Sequence, residues 1–288
     1  MTNCFRFYLL LAGCIACFSG CSSAKKIVVY KETADEIVFK NYQDEIITHQ
    51  IKKDVAKCQY NKSQFKIKKD LLIYDKDPNY KVRLGVDISR HDGSPIDWKA
   101  VKKSGRDFVF LRVAYRGYQS GILKVDEHFH ENITGALAEG MDVGVYVFSQ
   151  AINEQEALEE AEFVLEQIKD YAINLSVVFD PESIPWEEAR TDDVSGEQFT
   201  KNTIVFCERI KQAGYEPMIY SNITWEAKFF DLSLLKDYKI WFADYQVPPT
   251  SPYHFEYFQY GGESAKIPGV PNRCDVDAML VPVGKERP

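Results

Sequence analysis

The stretch LGVDISRHDGS (residues 84–94) decides between two ways of folding a chain in which strands and helices alternate. Its first half is an apolar run typical of a buried strand, and a helix is expected to begin near Asp97. An open, doubly wound sheet binds nucleotides through a glycine-rich loop after the first strand. The residues after Ile88 contain neither GxGxxG nor GK[ST]. The stretch therefore favours a closed barrel over an open sheet.

Strands and helices alternate from this stretch towards the C-terminus. Two of the predicted helices stop at Gly140 and Gly214, because glycine commonly terminates a helix. Five predicted strands are each followed by a helix, at residues 84–88, 107–115, 143–148, 175–179 and 217–220. Three further apolar runs, at residues 239–243, 255–260 and 274–280, have little helix between them. We predict an α/β fold, an irregular TIM-like β/α barrel with five βα units followed by three strands.

Residues 25–80 differ from the rest, since no glycine occurs between Cys21 and Gly85. Short apolar or alternating runs at 27–30, 36–39, 66–68 and 71–74 predict strands. A segment this short buries little surface alone, so we expect it to pack against the barrel. We assign residues 21–82 to a linker or small β-rich appendage and residues 83–282 to the main domain.

The N-terminus has the features of an export signal. Arg6 precedes an apolar stretch that ends near Phe18, too short to span a bilayer and typical of a signal-peptide core. Two stretches resemble the motif before a lipidated bacterial cysteine, one ending at Cys21 and the other at Cys14. We prefer Cys21, which makes residues 1–20 the signal peptide; a plain secretory signal is the alternative. A lipidated protein would be exported and anchored in the bacterial cell envelope without spanning the membrane.

Composition excludes some functions and leaves others open. The 288 residues carry a net charge of −8 without a basic stripe, which argues against a nucleic-acid partner. Aromatic residues make up 14% of the chain, and a large core uses them as readily as a sugar-binding cleft does. Beyond the N-terminus only Cys58, Cys207 and Cys274 remain, odd in number and widely spaced, so a disulfide framework is not expected.

Carboxylates recur at the predicted strand ends, where parallel barrels place their chemistry. A single aspartate there usually caps a helix, but a barrel brings several strand ends to one mouth. The acidic residues are Asp87, Asp180, Glu182, Asp244, Asp275 and Asp277, and other polar or aromatic side chains at strand ends are Arg112, Tyr115, Tyr146, Tyr220, Tyr245, Gln259 and Tyr260.

Asp180 and Glu182 form the most informative pair, in the stretch VVFDPES (residues 177–183). Two residues apart in an extended segment, they share one face. Like charges in one site raise the proton affinity of one carboxyl, which gives a proton donor beside an ionised partner. Glycoside hydrolysis uses this division. Pro181 lacks an N–H, so we expect strand pairing to end there.

Other chemistries fit the sequence less well. The five histidines form no HExxH motif, and no GxSxG elbow is present. We therefore expect no metal site and no cofactor. Several carboxylates together bind divalent cations in some enzymes, so a metal-dependent phosphodiester hydrolase stays a minor alternative.

Residues 84–281 resemble glycoside hydrolase family 25, the lysozymes or muramidases. The segments that carry the resemblance, in chain order, are G-V-D-I-S at 85–89, I-D-W at 96–98, D-F-V-F-L-R at 107–112, G-V-Y-V-F at 144–148, D-P-E at 180–182, I-W-F-A-D-Y at 240–245, F-Q-Y at 258–260 and C-D-V-D at 274–277. Each motif alone is weak, whereas their order and spacing are specific. Four positions depart from the family's usual residues, namely Val147, Phe258, Cys274 and Asp277.

The resemblance implies an enzyme that cleaves the β-1,4 bond between N-acetylmuramic acid and N-acetylglucosamine. It implies that Glu182 is the general acid and that Asp180 is its ionised partner, either as nucleophile or by orienting the substrate's N-acetyl group. Asp87 and Asp275 would complete the acidic cleft, while the sugar-binding residues would be Tyr146, Tyr260, Arg112, Tyr220, Trp241, Asp244 and Gln259. We expect a monomer acting on a peptidoglycan glycan strand; a catalytically idle lipoprotein that binds peptidoglycan through the same cleft is the alternative.

Overall fold

The computed structural model describes residues 27–69, 71–185 and 187–284, with the backbone alone at 262–264. Both predicted lipidation positions, Cys21 and Cys14, lie outside these residues.

The strands are β1 Val28–Glu32, β2 Glu36–Lys40, β3 Ile46–Gln50, β4 Lys66–Lys68, β5 Leu71–Ile73, β6 Tyr80–Ile88, β7 Phe108–Arg116, β8 Leu123–Val125, β9 Asp142–Ser149, β10 Val177–Pro181, β11 Pro217–Ser221, β12 Lys239–Ala243, β13 Tyr257–Ala265 and β14 Cys274–Pro282. The α-helices are α1 Trp98–Lys103, α2 Phe129–Ala138, α3 Glu154–Ile168, α4 Gly196–Gln212, α5 Ile223–Lys228 and α6 Leu232–Leu235, and single 3₁₀ turns occupy Lys62–Gln64 and Arg90–Asp92.

A closed ring of eight strands forms the barrel, in the order β6, β7, β9, β10, β11, β12, β13, β14 and back to β6. The first seven run parallel to one another, and β8 adds to the end of β7 outside the ring. Helices follow the strands up to β11, whereas β12, β13 and β14 follow one another without a helix. The predicted irregular barrel with five βα units is confirmed.

The last strand runs against both of its neighbours, which the sequence did not reveal. β14 pairs antiparallel with β13 and with β6, and Asp275 lies opposite Asp87 in the register. Its first residues therefore reach the edge of the barrel at which the parallel strands end. This direction brings Asp275 to the same mouth as Asp180 and Glu182.

Side chains alternate between the inside and the outside of the barrel. On β13, Tyr257 belongs to the inner cluster, whereas Phe258 packs in the outer layer. The inner cluster consists of Phe108, Phe110, Tyr146, Leu175, Val178, Met218, Tyr220, Trp241, Ala243, Tyr257 and Met279. Large side chains fill an eight-stranded barrel completely, so its interior below the mouth is a packed core.

The helices cover the outer faces of the parallel strands. Helix α4 begins after Ser195, whose side chain accepts a hydrogen bond from the N–H of Gln198, and glycine with φ of 88° follows at Gly214. Its buried residues recur at helical spacing, as at Phe199, Thr203 and Phe206. This face packs on the barrel and beside α3.

The N-terminal appendage covers the outer faces that no helix covers. The rings of Phe65 and Phe258 meet edge to face, with centroids 5.9 Å apart. The hydroxyl of Tyr60 donates to the carbonyl oxygen of Phe255, and His49 Nε2 lies 2.6 Å from the hydroxyl of Tyr253. The appendage thus takes the place of the missing helices beside β12 and β13, as expected of a segment too small to fold alone. Strand β3, absent from the sequence-based prediction, joins β1 and β2 in one sheet.

No helix within the described ranges is long and apolar enough to cross a membrane. The three described cysteines, Cys58, Cys207 and Cys274, are free thiols.

We expect Phe65→Ala to destabilise the protein by about 3–5 kcal/mol, because it removes a buried ring from the contact between appendage and barrel. Ile46→Ala is the matched control, since that side chain is 69% exposed and its loss is expected to cost less than about 0.5 kcal/mol. Free energies of unfolding from urea titrations test this. Equal stability of both variants would mean that the appendage does not support the barrel.

Candidate active site

A cleft of about 2180 Å³ opens at the mouth of the barrel, where the parallel strands end. Among the residues that line it are four of the predicted catalytic carboxylates, Asp87, Asp180, Glu182 and Asp275. The predicted sugar-site residues Arg112, Tyr146, Tyr220, Trp241, Gln259 and Tyr260 also line it.

The end of β10 positions Asp180 and Glu182. Pairing with β9 continues as far as Pro181 opposite Ser149, whereas pairing with β11 stops at Phe179. The proline therefore lies where the ladder ends, as predicted. Beyond it, Gln150 Nε2 donates to the backbone oxygen of Glu182 at 2.7 Å, which fixes the chain after the strand.

The carboxyls of Asp180 and Glu182 lie within hydrogen-bonding reach of each other. Burial raises the pKa of Glu182 to about 6, against the lowering effects of its hydrogen bond with Asp180 and of the Arg112 charge. Burial and then the charge of Glu182 raise the pKa of Asp180 well above its usual range. Because a hydrogen bond between two carboxyls needs a proton, the pair holds one proton near neutral pH.

In the free site this proton favours Asp180, which is only 4% exposed, over Glu182, which reaches the open cleft. Among the described residues, none hydrogen-bonds Asp180 Oδ1. The proton reaches Glu182 by moving along the hydrogen bond between the two carboxyls. The predicted division of roles, acid at Glu182 and ionised partner at Asp180, stays a prediction.

Gln259 organises the opposite side of the cleft. Its Nε2 donates to Asp87 Oδ2 at 2.9 Å and lies 3.4 Å from Asp275 Oδ2, while its Oε1 accepts from the Tyr220 hydroxyl at 2.8 Å. The amide thus holds Asp87 and Asp275 side by side. This second acidic pair faces the Asp180–Glu182 pair across the barrel mouth.

Asp277 lies directly below Asp87 and was not among the predicted site residues. It is completely buried, accepts a hydrogen bond from Trp241 Nε1 at 2.8 Å, and lies within hydrogen-bonding reach of the Asp87 carboxyl. Trp241 itself is 1% exposed and stacks on Phe110, so it forms the floor of the cleft rather than a free sugar platform. The period of two along β14 places Asp275 and Asp277 on one face, which was the available signal.

Arg112 is the cation beside the catalytic pair. Its guanidinium pairs with Asp126 at 2.7 Å, and Asp126 also accepts the backbone N–H of Arg90. The Arg112 charge lowers the pKa of both Asp180 and Glu182, although burial outweighs it. Asp126 was not predicted from the sequence, because it follows the short strand β8, which is not one of the eight predicted barrel strands.

The aromatic residues of the cleft differ in how far they reach the surface. Tyr245 is 46% exposed and its hydroxyl lies 3.3 Å from Gln259 Oε1, so its ring is available for stacking on a sugar. Tyr146 is nearly buried beside the carboxylates. Tyr260 is 2% exposed and packs near Phe258 in the outer layer, so it meets the cleft only at its edge.

The structure places Asp244 apart from the other predicted sugar-site residues. Its carboxylate accepts hydrogen bonds from the N–H and the hydroxyl of Thr250 and from the N–H of Gln246. These contacts commit both of its oxygens to the loop after β12. Asp244 therefore stabilises that loop, and its contacts do not support the predicted role in sugar binding.

The appendage also reaches the cleft. Ile67 and Lys69, around the turn between β4 and β5, form part of its wall. Tyr42, in the turn between β2 and β3, lies near enough to Glu182 that burial and then the Glu182 charge raise the pKa of its hydroxyl. A salt bridge of 2.9 Å between Glu45 and Lys228 holds this turn on α5.

Among the described side chains, no group of three or more His, Cys, Asp or Glu is arranged to hold a metal ion.

Comparison with protein families identifies the barrel. The model for glycosyl hydrolases family 25 matches residues 86–270, which is more than half of the chain. The chain belongs to this family. The family 25 match includes Asp87, Asp180 and Glu182 but ends before Asp275 and Asp277. A comparison with curated protein sequences found no match.

Solved structures of similar fold include further members and relatives of family 25. The modular autolysin LytC from Streptococcus pneumoniae is 21% identical with a TM-score of 0.61, over 88% of this chain and 58% of that chain. A family 25 glycosyl hydrolase from Bacillus anthracis is 23% identical with a TM-score of 0.58, over 72% and 92%. The bacterial lysozyme from Streptomyces coelicolor is 23% identical with a TM-score of 0.56, over 67% and 90%. The chain thus spans just under three fifths of LytC, and at these identities the likeness shows the fold.

Glu182→Gln is expected to change how stability depends on pH. A carboxyl whose pKa is raised in the folded state contributes stability that is present below its unfolded pKa and lost as pH rises through its folded pKa, here about 6. The variant should equal wild type near about pH 4.5 and exceed it by roughly 2 kcal/mol near about pH 7.5.

Urea titrations at both pH values measure this difference. Glu188→Gln is the matched control, because Glu188 is an exposed residue of the same loop and its replacement should change stability equally little at both pH values. A Glu182→Gln variant that loses stability relative to wild type as pH rises would contradict a raised pKa of Glu182.

Proposed function

We propose that this family 25 protein is a peptidoglycan hydrolase of the muramidase type, cleaving the β-1,4 bond between N-acetylmuramic acid and N-acetylglucosamine. The observation that carries the proposal is the Asp180–Glu182 pair, which holds one proton at the wall of a large open cleft. An acid that stays protonated near neutral pH is what protonation of a glycosidic oxygen needs.

The relatives support the choice of substrate. One solved structure of LytC is described as a complex with a synthetic peptidoglycan ligand, and it shares 21% identity with this chain at a TM-score of 0.61. The cleft is open along the barrel mouth and large enough for several sugar rings. We therefore assign it a glycan strand rather than a small molecule.

In the proposed reaction, Glu182 protonates the leaving oxygen as the bond to the anomeric carbon breaks. Asp180, ionised once the proton has left the pair, then stabilises the positive charge on the sugar. It does so either as the nucleophile or by orienting the N-acetyl group of the substrate. A water molecule then attacks the anomeric carbon, and one of its protons returns to the carboxyl pair. Asp87 and Asp275, held by Gln259, bind hydroxyl or amide groups of the sugar on the opposite side.

We expect Glu182→Gln to lower the release of reducing ends from peptidoglycan by at least about 100-fold, because glutamine donates no proton to the leaving oxygen. Glu188→Gln, in the same loop, should retain wild-type activity. Muropeptide release from purified cell walls measures both. An equally active Glu182→Gln variant would show that another group is the acid.

A catalytically idle peptidoglycan-binding protein is the second candidate. It predicts that wild type sediments with purified cell walls without releasing reducing ends from any of them. A metal-dependent phosphodiester hydrolase predicts instead a cation-dependent release of phosphate esters. The raised pKa of Glu182 favours the muramidase over the idle binding protein, since a binding site alone needs no protonated carboxyl.

We further propose that the protein is an exported lipoprotein, anchored in the bacterial cell envelope through Cys21. The support is the N-terminal sequence, in which a short apolar core precedes a small-residue motif and a cysteine. Such an anchor would hold the hydrolase close to cell-wall material.

Cys21→Ala is expected to abolish incorporation of a labelled fatty acid, because the acylated thiol is removed. Cys14→Ala is the control and should keep the label. Labelling that persists in Cys21→Ala and disappears in Cys14→Ala would move the anchor to Cys14, and labelling absent from wild type would favour a plain secretory signal.

A further inference from the structure

Asp277 is a buried carboxyl with one unsatisfied oxygen. Its Oδ1 accepts from Trp241 Nε1 at 2.8 Å, whereas its Oδ2 has no donor among the described residues. The side chain is completely buried and lies within hydrogen-bonding reach of the Asp87 carboxyl on the neighbouring strand. A buried carboxylate oxygen without a donor is costly, so this contact requires explanation.

The charged groups around Asp277 do not neutralise it. Asp87 on β6, Asp275 on β14 and Asp92 in the turn after β6 all carry or share negative charge. The facing groups on β12 and β13, Trp241 and Gln259, are neutral donors, each already bonded to one carboxyl oxygen. On β7, Arg112 is paired with Asp126.

A proton shared between Asp277 and Asp87 would therefore supply the donor that Asp277 Oδ2 lacks. Two carboxyls in hydrogen-bonding contact cannot both be ionised without leaving two acceptors facing each other. One proton between Asp87 and Asp277 supplies the missing donor, and the pair then carries one negative charge. Gln259 Nε2 also donates to Asp87 Oδ2 at 2.9 Å, so the Asp87 carboxyl has contacts with both Gln259 and Asp277.

We propose that Asp277 is a positioning residue that shares one proton with Asp87 and thereby holds Asp87 in place in the cleft. This inference rests on the proposed function for its effect on activity, whereas the shared proton is a property of the free protein. An asparagine at position 277 would supply the same donor permanently.

The pair differs from an asparagine in its response to pH. Burial raises the pKa of Asp277 to about 8. Burial also raises the pKa of Asp87, so the shared proton is lost only when pH rises beyond the pKa values of both carboxyls, and two negative charges then face each other. The alkaline side of the activity profile should therefore depend on Asp277 in wild type and not in Asp277→Asn.

The experiment compares wild type, Asp277→Asn and the control Glu226→Gln. Glu226 is also a buried carboxyl with a pKa raised to about 8, but its partner is Ser251, outside the cleft. Two measurements are made on each protein: the pH profile of reducing-end release from peptidoglycan, and the infrared carbonyl band of protonated carboxyl groups between neutral and alkaline pH.

For Asp277→Asn we expect activity within roughly threefold of wild type at mildly acidic pH and an alkaline limb displaced upward by about one pH unit or more. Its infrared difference spectrum against wild type should show the loss of one protonated carboxyl. Glu226→Gln should also lose a protonated carboxyl but keep the wild-type activity profile.

Superimposable activity profiles of wild type and Asp277→Asn would overturn the positioning role, and an unchanged carbonyl band would overturn the shared proton. If wild type releases no reducing ends at any pH, the proposed function fails, while the infrared arm still decides the shared proton. Should Asp277→Asn not fold, Asp87→Asn replaces it in the infrared arm, because it removes the other half of the pair.

Discussion

The pairing of β14 with β6 closes the barrel, and the rest of the site depends on it. Because β14 runs antiparallel, its first residues lie at the mouth, and Asp275 comes to stand opposite Asp87. The same register carries Asp277 into the interior above Trp241. A parallel eighth strand would have placed these two aspartates at the opposite end of the barrel, far from Asp180 and Glu182. Backbone direction at one strand thus decides how many carboxyls the cleft contains.

Crowding of carboxyls sets the chemistry of the cleft. Asp87, Asp180, Glu182 and Asp277 are buried or nearly so, and Arg112 shares its charge with Asp126. Burial without matching positive charge favours the neutral form of a carboxyl, so protons take the place of cations. Two pairs of carboxyls are in contact, Asp180 with Glu182 and Asp87 with Asp277, and each pair keeps one proton. Glu182 lines the cleft, so the first pair can transfer its proton to a substrate. Asp277 is buried against Trp241, so the second pair cannot.

Much of this arrangement followed from the sequence. Alternating apolar and amphipathic segments predicted the barrel, and residues at the strand ends predicted Asp87, Asp180, Glu182 and Asp275 as neighbours. Other features could not follow. An apolar strand pattern reads the same in either direction, so the orientation of β14 was hidden. Asp244 follows its strand as the catalytic residues do, but Thr250 and Gln246 turn it into its loop. Side chains alternate between the two faces of a strand, so Tyr260 faces outward because Gln259 faces inward. The resemblance of residues 258–260 to a family motif had placed Tyr260 in the sugar site without regard to this alternation.

Because the appendage packs on the barrel, the part of the chain that folds together is longer than the region matched by family 25, residues 86–270. A gene fragment cut at the ends of the family match, residues 86–270, would lack β14 and most of β6, and the ring would be open. Even a fragment containing the whole ring would expose Phe255, just before β13, and Phe258 within it, and these apolar rings would favour self-association. Residues outside the region matched by the family are thus part of the solubility of this protein, because they cover the outer face of β13.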